Sequence, residues 1–112
     1  METTRTSAAR IVDVFVTCPN CRVAETIGRA LVEERLAACA NIIPGLTSIY
    51  RWQGKICRDP EVLVLLKTRR SCFQKLARRV RALHPYAVPA IVALPVAVGS
   101  PAYLAWVIES TT

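Results

Sequence analysis

The chain has one histidine, few acids and no apolar run approaching the roughly 18 residues of a membrane span, and each shortage removes a class of function. One imidazole cannot hold a transition metal alone. The eight acids include none at an obvious general acid/base spacing from His84. There is no G-x-S-x-G elbow, no H-E-x-x-H pair and no P-loop. Conventional catalysis is therefore not expected, and the chain reads as a non-enzyme. RNP-like aromatics, a KH-type loop and Cys/His finger spacing are all missing, so the excess of 15 basic over 8 acidic residues reads as a solvated surface, not as a nucleic-acid site. Six of those basic residues lie between Arg69 and Arg81. Nothing resembles a signal peptide or an internal repeat, which points to a soluble cytoplasmic protein without membrane insertion.

What is present is apolar. Hydrophobic residues make up 53% of the 112 residues, enough for one modest core. Residues 1–9 are polar and read as a disordered tail; residues 10–112 read as a single domain. Ile11 to Val16 reads as a strand, and Thr17-Cys18-Pro19-Asn20 as a turn in which Asn20 caps a helix from Cys21 to about Arg35. Ala37 to Trp52 reads as one long strand bent at Pro44-Gly45, with Gly54 turning the chain back. Lys55 to Pro60 reads as loop or hairpin edge, and Glu61 to Thr68 as the third strand. A helix capped by Ser71 runs to Leu83, and Val88 to Val98 forms a fourth strand with Pro89 and Pro95 near an edge. Ser100-Pro101 opens a terminal helix.

This order is α+β: a ferredoxin-like βαββαβ sandwich with an extra C-terminal helix. Both long helices should cover one sheet face. The strands nevertheless carry apolar residues at adjacent positions, where a half-buried strand alternates. The uncovered face therefore calls for a second copy of the chain.

The run LVEERLAACANIIPGLTSIYRWQGKI, followed by EVLVLLKT, HPYAVPAIVALPV and YLAWV, resembles the CutA family of divalent-cation tolerance proteins over residues 11 to 109. The resemblance implies a PII-like homotrimer and a role in tolerance of copper and other divalent metals. It also implies clefts between subunits, for which Tyr50, Trp52, Tyr86 and Lys67 are the ligand-facing candidates. In the family, the segment after the His-Pro-Tyr commonly carries acids where this chain has Ala87 and Ala90. A copper arrangement ascribed to the family falls on Val16, Leu83 and His84 here, so His84 alone keeps a donor.

Three readings of the thiols stay open. Cys18 and Cys21 at a helix start suit thiolate and a soft cation such as Cu(I), and T-C-P-N-C resembles the loop of small copper chaperones. It also resembles the thioredoxin turn, which makes a redox switch the second reading. The third is inert thiols in a reducing compartment, since the five cysteines are odd in number. The metal candidates are thus His84, Cys18 and Cys21, with copper or another divalent cation as ligand. The rival to a metal-binding trimer is a scaffold for a partner protein with adventitious metal binding.

Overall fold

The computed structural model describes residues 4–112; the first three residues of the expected tail lie outside this range. The elements are α1 (Thr4–Ala9), β1 (Ile11–Cys18), α2 (Cys21–Glu33), β2 (Cys39–Trp52), β3 (Lys55–Arg69), α3 (Phe73–Leu83), β4 (Ile91–Pro95) and α4 (Pro101–Ser110). The four strands form one antiparallel sheet in the order β2-β3-β1-β4. With α2 and α3 on one face, this is the expected ferredoxin-like plan.

Alternation in the central strands sets the layers. Val12, Val14, Val16 and Cys18 of β1, with Val62, Val64 and Leu66 of β3, point into the helix layer and are buried. Ala24, Ile27 and Leu31 of α2 and Leu76 and Val80 of α3 meet them there at helical spacing. Asn20 does cap α2, its Oδ1 accepting from the Val23 N–H at 2.9 Å. A Cβ on Gly28 would stand 2.9 Å from the Ala40 Cβ, so α2 lies on β2 at a separation only glycine permits.

Several boundaries differ from the expectations above. Of the two readings of residues 55–60, loop or hairpin edge, the second holds: they are strand and pair without interruption with residues 47–52. Gln53 and Gly54, at φ 49° and 79°, form a two-residue turn whose twist matches the strands it joins. The Pro60 position is tolerated because β1 stops opposite Val62, which gives this stretch a strand on one side only. Past that point β2 and β3 run on as a two-stranded arm, and the molecule measures 51 × 25 × 23 Å. β1 extends through Cys18, two residues further than expected, held by pairing with β3. α2 stops at Glu33 because Arg35 turns left-handed at φ 60°. Ser71 does not cap α3; it lies in a 3-10 turn, Arg70–Cys72, that leads into the helix. β4 keeps only the five residues Ile91–Pro95, as an edge strand that ends on Pro95 and pairs with β1.

The expected tail is helical from Thr4. Ala8 is fully buried with Ile11, Leu104 and Val107, where α1 and α4 close over one end of the second sheet face. The Arg69 guanidinium donates to the Ile108 carbonyl and to Thr111 Oγ1, which fixes the end of α4.

The rest of that second face is open. Register lays out rows across it: Leu94, Asp13, Lys67 and Cys39; then Val92, Phe15, Leu65 and Asn41; then Thr17, Leu63 and Ile43. Between Ile43 and Leu46 the register slips by one residue, a β-bulge at Pro44-Gly45 with Gly45 at φ 89°. The extra residue changes parity. Leu46, Ser48, Tyr50 and Trp52 therefore stay on the same face as Asn41 and Ile43. In β2 this bulge sets which side chains share the open face; in β1, β3 and β4 the adjacent apolar residues simply lie on opposite faces.

Candidate functional site

At the arm end of the open face lies a cleft of about 290 Å³ lined by Thr17, Tyr50, Trp52, Glu61, Tyr86, Ala87, Val88 and Ala90. Tyr50 and Trp52 reach it from β2 through the bulge parity, and Glu61 from β3. Tyr86 to Ala90 belong to the segment between α3 and β4. Three of the four cleft candidates read from the sequence, Tyr50, Trp52 and Tyr86, thus come together.

His84 holds that segment in place. Its ring is buried, and Nδ1 accepts the Tyr86 N–H at 3.1 Å, so Nδ1 carries no proton. Nε2 therefore carries it and donates to the Thr17 carbonyl at 2.8 Å. Both ring nitrogens are spent on backbone, with none left for a metal in this arrangement. The histidine ties the end of α3 to the end of β1, and its ring lies 4.6 Å from that of Tyr86.

The carboxylates under the aromatics were not picked out from the sequence. Tyr86 Oη donates to Glu61 Oε2 at 2.8 Å, and Tyr50 Oη donates to Asp59 Oδ2. Glu61 is only 8% exposed. The bond to Asp59 pushes the Tyr50 phenol up to about 12. Burial first, then the Glu61 bond and charge, raise Tyr86 further still. Both phenols stay protonated at neutral pH. The available signal was the i, i+2 spacing of Asp59 and Glu61, visible only once residues 55–60 are read as strand.

Lys67 lies elsewhere. It is six residues along β3 from Glu61, roughly 20 Å at strand rise. Its ammonium sits 3.5 Å from Asp13 Oδ1 and 3.5 Å from Asn41 Oδ1. Asp13 Oδ1 is buried and has no directed hydrogen bond, so the ion pair alone serves it. Cys39 Sγ and Tyr103 Oη, 3.5 Å apart, complete this polar group.

Cys18 and Cys21 also occupy different surroundings. Cys21 is exposed at the first residue of α2, while Cys18 is fully buried at the end of β1. Burial, then the Glu61 charge, pushes the Cys18 thiol up to about 11. A lowered, thiolate-forming Cys18 was expected from a turn at the helix start; the extra strand residues turn it into the core instead. Among the described residues no three His, Cys, Asp or Glu side chains gather as a metal site. Two consequences are measurable. Ellman's reagent at pH 8 should modify Cys21 in the native protein and reach Cys18 only after denaturation. Because the folded pKa of Cys18 lies above its ordinary 9.0, its contribution to stability is full below pH 9 and is lost as pH rises through about 11. Native-state reaction of Cys18 at the rate of Cys21 would contradict this placement.

Comparison with known proteins decides the lineage. The family model described as "CutA1 divalent ion tolerance protein" matches residues 12–110. The chain belongs to the CutA1 family. A divalent-cation tolerance protein CutA from Thermus thermophilus is 61% identical over 98 residues, 88% of this chain and 95% of that one. A solved structure of the divalent cation tolerance protein from Thermus thermophilus superposes with a TM-score of 0.89 at 59% identity, covering 91% of this chain and 99% of that one. The human protein CutA is 55% identical over 97 residues, 87% of this chain and 54% of that one, so this chain spans about half the length of its human relative. A rice relative, named as chloroplastic, is 43% identical over 111 residues, 99% of this chain and 62% of that one. Ala87 and Ala90 are walls of the cleft. No helix among the described residues is long and apolar enough to cross a membrane.

Proposed function

We propose that residues 10–112 act as one unit of a homotrimer that takes part in tolerance of divalent cations, copper among them, through clefts completed between subunits. The observation that carries this is the open sheet face. Phe15, Leu63 and Leu65 are half-buried and Ile43, Val92 and Leu94 exposed on it, and it runs directly into the Tyr50–Trp52–Tyr86 cleft. An apolar surface of this kind supports an interface between copies. The protein works by binding and relay, not catalysis. Its five free thiols support residence in a reducing compartment, the cytoplasm.

Metal uptake within this reading draws donors from more than one copy. His84 has no free nitrogen, Cys18 faces the core, and Cys21 stands at the surface. Those same facts favour a second reading, a trimeric scaffold whose metal binding is adventitious. Native mass spectrometry under reducing conditions, with and without Cu(I), Cu(II) and Zn(II), separates the two. Trimers with three tightly held ions support the first; trimers with weak, variable loading support the second. A monomer at micromolar concentration overturns both.

A further inference from the structure

We propose that the cleft between Tyr50, Trp52 and Tyr86 is a receptor for a small monovalent organic cation, an alkylammonium or alkylguanidinium group, which it holds between aromatic faces over Glu61.

The first argument is charge. Glu61 is buried, yet no lysine or arginine among the described residues pairs with it or with Asp59. Its recorded contact is the neutral Tyr86 hydroxyl on Oε2. A carboxylate taken from water without a counter-charge is costly, and a cation seated in the cleft removes that cost. Register turns the nearby Arg51 and Arg58 to the opposite face of the arm, partnered by Ile56 and Ile49.

The second argument is the walls. Both tyrosine hydroxyls point their protons at carboxylates, so the rings are neutral phenols. Neutral phenol and indole faces attract cations through their quadrupoles. A bare metal ion fits this lining poorly. It wants four or more donors, whereas Ala87, Val88 and Ala90 supply apolar surface. About 290 Å³ holds a short alkyl chain with one charged head and is too small for most drug-sized ligands. An organic cation satisfies both halves of the site: its charge meets Glu61 and its carbons meet the aromatic and alanine walls.

This inference rests on the cleft being the ligand site and not on the subunit number. The test uses fluorescence of Trp52 in a Trp106→Phe background. The probes are n-butylguanidinium, n-butylammonium, N-acetyl-argininamide and neutral 1-pentanol. The expected result is saturable binding of the cations, at least about tenfold tighter than the neutral alcohol. That preference should disappear in Glu61→Gln, which keeps an acceptor for Tyr86 and removes the charge. Circular dichroism confirms that the variant is folded. Tighter binding of N-acetyl-argininamide than of the free cations identifies a protein side chain as the source of the charge; the reverse order identifies a free amine or guanidine. Equal affinity for the alcohol, or undiminished cation binding by Glu61→Gln, overturns the proposal. Native mass spectra of the same samples report assembly. A monomer that binds the cation removes the trimer and keeps this inference, and a trimer that ignores it does the opposite.

Discussion

A Val92→Asp variant should be a folded monomer at concentrations where the parent protein forms the proposed trimer. Val92 is 43% exposed on the edge strand β4, so in the isolated subunit an aspartate there remains hydrated. Its row-mates Phe15 and Leu65 make it part of an apolar stripe across the open face. Packing that stripe against another copy would strip water from the carboxylate without a partner, at a cost of several kcal/mol per copy. Three such penalties exceed what an interface of ordinary size can absorb. Equilibrium sedimentation at micromolar protein reads the outcome directly, and circular dichroism shows whether the fold survives. A Val92→Asp trimer with the parent's association constant would mean that the open face is not the contact surface.

Leu66→Ala should cost about 3 kcal/mol, within the range of about 2 to 5 for deleting a buried leucine. Leu66 is fully buried on β3, paired with Val14 of β1 and Ala40 of β2, beneath the helix layer. A strand centre that is hydrogen-bonded on both sides relaxes little around a cavity, which holds the loss away from the low end. Guanidinium unfolding measures it, with both proteins at one subunit concentration because association adds to apparent stability. Val98→Ala, at an exposed site, should shift stability by no more than about 0.5 kcal/mol. Similar losses at the two sites would show that the helix-side layer is not the main core.

The helix layer was legible because it depends on local periodicity. Ile27 and Leu31, and Leu76, Ala77 and Val80, repeat at helical spacing and are all buried. Asn20 was legible as a cap because its side chain serves a backbone group three residues away. The arm was not. Its stability comes from cross-strand pairing between residues 47–52 and 55–60, a relation that composition does not display. The same blindness hid Asp59 and Glu61. The surroundings of Cys18 and His84 were hidden for a related reason. Spacing along the chain placed each near a loop, but tertiary pairing buried the thiol and committed both ring nitrogens. Lys67 lies on the same face beside Asp13 and Asn41, away from the Tyr50 cleft, since residue type carries no information about distance along a strand.

The single-residue offset at Pro44-Gly45 restricts how the arm can change length. Deleting Gly45 alone would remove the extra residue and the bulge together, leaving Tyr50 and Trp52 an even number of steps from Ile43 and on the same face. Deleting one residue beyond the offset, Thr47 for example, would instead carry Tyr50 and Trp52 to the back of the sheet and Ile49 and Arg51 to the front. The cleft would then be lined by an aliphatic side chain and a positive charge. Any lengthening or trimming of β2 between the offset and Trp52 must therefore proceed two residues at a time, matched on β3, if the aromatic pair is to keep facing Glu61.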